Sequence, residues 1–159
     1  MALTILIDFD GTCVTHGYPE IGREIGAVPV LRELVANGHR LILFTMRGDS
    51  EEGIKKFGRN GLLDAVQWFE KHDLPLYGIQ TNPTQHTWTN SPKAWGDMII
   101  DDTALGTPVI YDPTLSNGIF VHWGKIRQML LQYGAIPEGI TQIMKDERHK
   151  WYKEHTHCP

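Results

Sequence analysis

Five apolar runs of strand length, separated by segments of helical periodicity, constrain this chain more than any other feature. They are TILIDF (4–9), RLILFT (40–45), LYGIQT (76–81), DMIID (97–101) and PVIYD (108–112). They are rich in Ile, Leu and Val and show little polar alternation, which predicts buried parallel strands and not a half-exposed sheet. Between the first two, Val28, Leu31, Leu34 and Val35 form a helical stripe that stops at Asn37-Gly38. Between the second and third, Ser50 is a cap, Leu63, Val66 and Phe69 or Glu70 repeat at helical spacing, and Gly58 and Gly61 break the segment into two short helices. After the fifth run, Ile126, Met129, Leu130 and Tyr133 predict another helix ending at Gly134, and a last helix is expected over about 140–153. Strands alternating with helices predict an α/β fold, an open and mostly parallel five-stranded sheet wrapped on both faces in three layers.

At 159 residues the chain is read as one domain over 1–150 with a frayed tail over 151–159, large enough to bury roughly two-thirds of its unfolded surface. Two cysteines, Cys13 and Cys158, make no disulfide framework and suit a reducing, cytoplasmic compartment. The run Leu3 to Ile7 has no basic residue before it and is cut short by Asp8, so neither a signal peptide nor a membrane span is expected there. A net charge of −4 provides no general attraction to nucleic acid, without excluding a local basic groove.

In open parallel sheets the site lies outside the carboxyl ends of the strands, at the switch point of strand order. Asp8 and Asp10 stand at the end of the first run, Thr45 and Arg47 at the end of the second, and Asp101 and Asp102 at the end of the fourth. A first strand lying between the second and fourth would make these groups converge. Several carboxylates share a small cleft only if some are protonated or a cation neutralises them. Oxygen ligands without Cys or His favour Mg²⁺ over Zn²⁺. Asp97 precedes the fourth strand and belongs to its opposite end. Cys13 follows the acids without an evident base and reads as a packing residue. His155 and His157 beside Cys158 form a short tract that reads more readily as tail than as a metal site.

The motifs DFDGT (8–12), LILFT ending in Thr45, and KAWGDMIIDD with Lys93 eight residues before Asp101 resemble, in order and placement, those of the haloacid dehalogenase-like superfamily of aspartate-nucleophile phosphatases. They span about two-thirds of the chain, and the combination is far more specific than any one piece. The resemblance implies a Rossmann-like fold and a two-step phosphoryl transfer. Asp8 would be the nucleophile and Asp10 the proton donor and later acceptor. Thr45 and Lys93 would stabilise the phosphoryl oxygens. Mg²⁺ would be held by Asp8, the backbone carbonyl of Asp10, Asp101 and Asp102; GDMIID also matches another form of the family's last motif, which would take Asp97 in place of Asp102, but Asp97 lies at the wrong end of the strand. Gly11, Thr12 and Arg47 are candidate substrate contacts, although Arg47 is as readily a surface ion pair. The spacing between motifs leaves no room for a large cap domain, so the flap Cys13 to Arg23 and the loop 81–92, with His86 and Trp88, are the candidate lids. The expected partner is a phosphorylated small molecule. A nucleotide or polynucleotide end, and a phosphate-binding module without turnover, are the alternatives. A homo-oligomer that closes the open site with a neighbouring copy is compatible with either.

Overall fold

The computed structural model describes residues 2–137. The expected last helix, the tail and its His and Cys residues lie outside the described residues. The order of elements is β1 (Thr4–Ile7), α1 (Ala27–Ala36), β2 (Arg40–Leu43), α2 (Glu51–Phe57), α3 (Gly61–Lys71), β3 (Leu76–Ile79), β4 (Met98–Ile100), β5 (Val109–Tyr111), β6 (Ile119–Val121) and α4 (Trp123–Tyr133). The protein is a mixed α/β structure with a four-stranded parallel sheet in the order β3-β2-β1-β4 and a separate antiparallel pair, β5-β6. β1 is central, flanked by β2 and β4, so the strand order reverses at its carboxyl end.

The fifth run does not join the parallel sheet. Residues 101–108 are eight in number, and a parallel connection needs a crossover of about a dozen residues or more. The chain instead turns back as a hairpin-like pair, with Val109, Ile110 and Tyr111 all exposed.

Alternation along the central strands divides the core. Leu3, Ile5, Ile7 and Phe9, with Leu41 and Leu43, face α1, α3 and α4. Leu6 and Ile42 face the other way, where Ala94, Phe44 and Tyr77 pack. No α-helix contributes to that second cluster among the described residues, so the expected three-layer arrangement is seen on one face only. The β3-to-β4 connection there is a loop with a single turn of 3₁₀ helix at Gln85–Thr87. Buried Gln85 holds it together by donating to the Ser91 and Lys93 carbonyls and accepting the Trp95 N–H.

The helix breaks fall as predicted. Ser50 accepts the Gly53 N–H, Gly58 ends α2 at φ 69°, and Asn60 caps α3. The buried stripes are rotated from expectation. α3 buries Ala65, Trp68 and Phe69 while Leu63 is exposed, because Trp68 and Phe69 pack around Phe9 at the end of β1. α4 buries Trp123, Ile126 and Leu130 but exposes Met129 and Tyr133, and a further inward position is Arg127. That guanidinium makes a bidentate pair with buried Glu33 of α1, both contacts at 2.7 Å.

Candidate active site

The alternation that sends Phe9 into the core leaves Asp8 and Asp10 beside a cleft of about 440 Å³ at the carboxyl end of the sheet, lined also by His16, Tyr18, Thr45, Met46, Arg47, Asp101, Asp102 and Thr103. Asp8 continues the β1–β4 ladder by donating its N–H to the Ile100 carbonyl at 3.0 Å. This register sets it against Asp101 and Asp102. Oxygens of the three carboxylates lie within 4.8 Å of one another.

The turn after β1 fixes these acids. The Phe9 carbonyl accepts the N–H groups of Thr12, Cys13 and Val14. Gly11 has φ +80°, and a Cβ there would lie 2.3 Å from His16 Nε2 and 2.5 Å from Asp102 Oδ2. Gly11→Ala is therefore expected to destabilise the fold by about 1–3 kcal/mol and to abolish any thermal shift on adding a divalent metal. Melting curves with and without metal check both effects.

Thr12 is fully buried. Its hydroxyl donates to Asp8 Oδ2 at 2.8 Å and accepts the Asp102 N–H at 3.0 Å, while the Trp123 indole N–H donates to its carbonyl at 2.6 Å. Thr12 and Gly11 thus lie beneath the cleft and position its acids, in place of the expected substrate contact. Asp101 is oriented by Thr103, whose N–H and hydroxyl both donate to Oδ1. His16 Nε2 lies 2.9 Å from Asp102 Oδ2.

Burial pushes the Asp8 carboxyl up to about 6; hydrogen bonds from the Phe9 backbone and Thr12 oppose this, and the Asp101 and Asp102 carboxylates add to it. Burial also holds the Cys13 thiol well above its ordinary range. Its sulfur contacts the Asp8 carbonyl at 3.3 Å, as befits a packing residue.

Thr45 lines the cleft, as expected, and its loop is held by Gln80, which accepts the Thr45 N–H and donates to the Thr45 carbonyl at 2.6 Å. Arg47 is also at the cleft wall, but its side chain is 1% exposed and forks onto Asp10 at 2.6 and 2.8 Å. It is neither a surface ion pair nor an open substrate contact. The Asp10 carboxylate therefore stands apart from the three-acid group, leaving only its backbone for the metal role expected of it.

Lys93 is exposed on the β3-to-β4 loop and does not line the cleft. The loop 81–92 does not reach it either; Trp88 packs edge-on against Trp95, 6.2 Å between ring centres. The flap does reach it, through His16 and Tyr18. Asp97 sits at the opposite end of the sheet, where its carboxylate accepts the Thr4 N–H at 2.7 Å. His16 and Tyr18 fall within the flap expected over the site, whereas Met46 and Thr103 were not legible in the sequence as cleft residues, because nothing local distinguishes them from other loop positions.

Fold and cleft define an α/β protein with an acidic site at the switch point of a parallel sheet. No protein-family model matches the chain, and no curated protein does. Among solved structures, the chain is similar to the conserved protein coded by a locus from Bacteroides thetaiotaomicron, at 34% identity over 84% of this chain and 93% of that one, with a TM-score of 0.63. By that identity and coverage, the chain belongs to the same family as that conserved protein. Among the described residues, no helix is long and apolar enough to cross a membrane.

Proposed function

We propose that this protein is a Mg²⁺-dependent phosphomonoester hydrolase of the haloacid dehalogenase-like, Rossmann-like type, acting in the cytoplasm with Asp8 as nucleophile. The observation that carries this reading is the grouping of Asp8, Asp101 and Asp102 oxygens within 4.8 Å in one cleft with Asp10 and Thr45. Three carboxylates grouped this closely offer the all-oxygen donor set that Mg²⁺ takes, and the raised Asp8 carboxyl is the kind of group a cation would relieve. Asp8, Asp101 and Asp102 would hold Mg²⁺, which when bound supplies the positive charge that lets a carboxylate approach a phosphate.

The chain's own residues then divide the reaction. An Asp8 oxygen attacks phosphorus as the bond to the leaving oxygen breaks, and that oxygen takes its proton from solvent in the open cleft; Asp10, whose two oxygens both accept from Arg47, is placed to act as a base and not as the proton donor the family resemblance implied. In the second step Asp10 takes a proton from water as it attacks the Asp8 acyl phosphate, releasing inorganic phosphate and restoring Asp8. The Thr45 hydroxyl hydrogen-bonds a phosphoryl oxygen. Lys93 stands outside the cleft and takes no part in this scheme, contrary to the charge-neutralising role expected of it.

The wall carries four carboxylates and a single guanidinium, itself bound to Asp10. With no surplus positive charge, a small monophosphate fits better than a polyphosphate or a polynucleotide end. Tyr18, 48% exposed, and Met46, 98% exposed, make the rim apolar.

The test is hydrolysis of p-nitrophenyl phosphate and a panel of metabolite monophosphates with Mg²⁺ or chelator. Turnover that disappears with chelator is expected; failure on every ester would favour a phosphate-binding module. Millimolar Mg²⁺ is also expected to raise the melting temperature, since it binds the folded cluster alone, by about 2.7 kcal/mol of stability at a hundred times its dissociation constant. An unchanged melt would remove the metal from the scheme.

A further inference from the structure

Arg47 uses its donors within the protein and offers little to a ligand. Nε donates to Asp10 Oδ2 at 2.6 Å, and one terminal nitrogen donates to Asp10 Oδ1 at 2.8 Å and to the Glu20 carbonyl at 2.7 Å. The other terminal nitrogen reaches the Pro19 carbonyl at 3.3 Å. The guanidinium carbon lies 5.1 Å from the centre of the Phe9 ring and 5.2 Å from that of Tyr18. Both acceptor carbonyls belong to the apex of the flap.

The flap is otherwise braced at its base and its outer side. The Thr15 N–H donates to the Arg23 carbonyl at 2.8 Å. A Cβ on Gly22 would fall 1.9 Å from the Thr15 carbonyl oxygen, so the two flap arms touch backbone to backbone. Arg59 binds Glu20 from outside and Asp64 at 2.6 Å. Arg47 is the tie between this apex and the catalytic end of β1.

We propose that Arg47 is a positioning residue that couples the Asp10 carboxylate to the flap apex, so that the proton-transfer group and the flap residues His16 and Tyr18 are set as one unit before substrate arrives. Its catalytic consequence rests on the phosphatase reading above; the coupling itself does not. A planar fork is needed, because an ammonium is a point donor and cannot span both Asp10 oxygens and two carbonyls. Lys at this position keeps the charge and loses the coupling.

The experiment combines amide hydrogen exchange over residues 15–24 with steady-state kinetics on p-nitrophenyl phosphate and Mg²⁺. The proteins are wild type, Arg47→Lys, Arg47→Gln, Asp10→Asn and the Asp10→Asn/Arg47→Gln pair. Flap amides of both Arg47 variants are expected to exchange about tenfold faster than wild type, the scale of losing charge-assisted hydrogen bonds, with β1 and α1 little changed. Both variants should lose about 10²-fold in kcat with KM within about twofold. On the Asp10→Asn background, Arg47→Gln should cause no further loss, because the two residues act as one.

Unchanged flap exchange overturns the coupling. An additive loss with raised KM overturns it too, because Arg47 would then bind substrate directly. Faster exchange in the variants of a protein whose wild type has no turnover leaves the coupling standing and removes the phosphatase reading. Should Arg47→Gln fail to fold, the paired variant carries no unpaired charge and supplies the exchange measurement.

Discussion

Asp8→Asn is expected to abolish turnover and, in metal-free protein at pH 8, to raise the stability of the fold. On the phosphatase reading proposed above, in which Asp8 is the nucleophile, the change should lower kcat by at least about 10⁴-fold. The stability gain follows from the same side chain's position. Burial lifts the folded-state Asp8 carboxyl from 3.8 to about 6, so between those values the folded protein binds a proton that the unfolded chain has lost. Stability therefore falls as pH rises through this window, is unaffected by Asp8 below it, and carries the full penalty above it. A shift of this size corresponds to about 2–3 kcal/mol after allowance for partial exposure.

An amide at position 8 has no charge to desolvate, so the difference between wild type and Asp8→Asn should grow from near zero at pH 4 to its plateau above pH 6.5. Urea unfolding in chelator across pH 4–8 measures it. A flat difference would mean that Asp8 is not desolvated in the cleft. With Mg²⁺ the ordering should reverse, since wild type gains the metal's stabilisation and the variant loses most of it.

Arg127→Ala is the other change with a large expected effect. It leaves Glu33 buried in α1 without its bidentate partner, and an uncompensated buried charge costs about 3–5 kcal/mol. Replacing both residues, as Glu33→Leu with Arg127→Met, should recover most of this, because the interface between α1 and α4 is otherwise apolar around Leu34, Ile126 and Leu130. Denaturant midpoints for the single and double variants decide the matter: a single variant within about 1 kcal/mol of wild type would show that Glu33 finds water or another donor.

The cleft was legible because periodicity and chain order are local. Apolar runs ending in Asp8, Thr45 and Asp101 predict strand exits, and a switch point beside β1 gathers them; the observed order β3-β2-β1-β4 has that property. Asp97 was separable from Asp102 by the same reasoning, since three strand residues place the two at opposite ends of β4. The fifth run misled because hydrophobic content says nothing of partners. Its short connection from β4 forbids a parallel crossover, so Val109–Tyr111 pairs with Ile119–Val121, a β-prone run of only three residues that is shorter than the five runs. Leu63, Met129 and Tyr133 misled similarly, because a helix with apolar residues on more than one face does not reveal which face a neighbour will cover.

From the sequence alone came the identity of the acids, the strand exits they occupy and the case for a divalent cation among oxygen ligands, all of which depend on residues close along the chain. Only the tertiary structure decided what each polar group faces. Arg47 and Asp10 are 37 positions apart, Thr12 and Asp102 are 90, and contacts at such separation are set by how the flap packs over the sheet. That packing turned an expected substrate contact into a buried clamp and placed Thr12 beneath the cleft. It also left Lys93, the right residue type at the right spacing, outside the cleft, because a motif's spacing fixes where a side chain starts and not where its loop carries it.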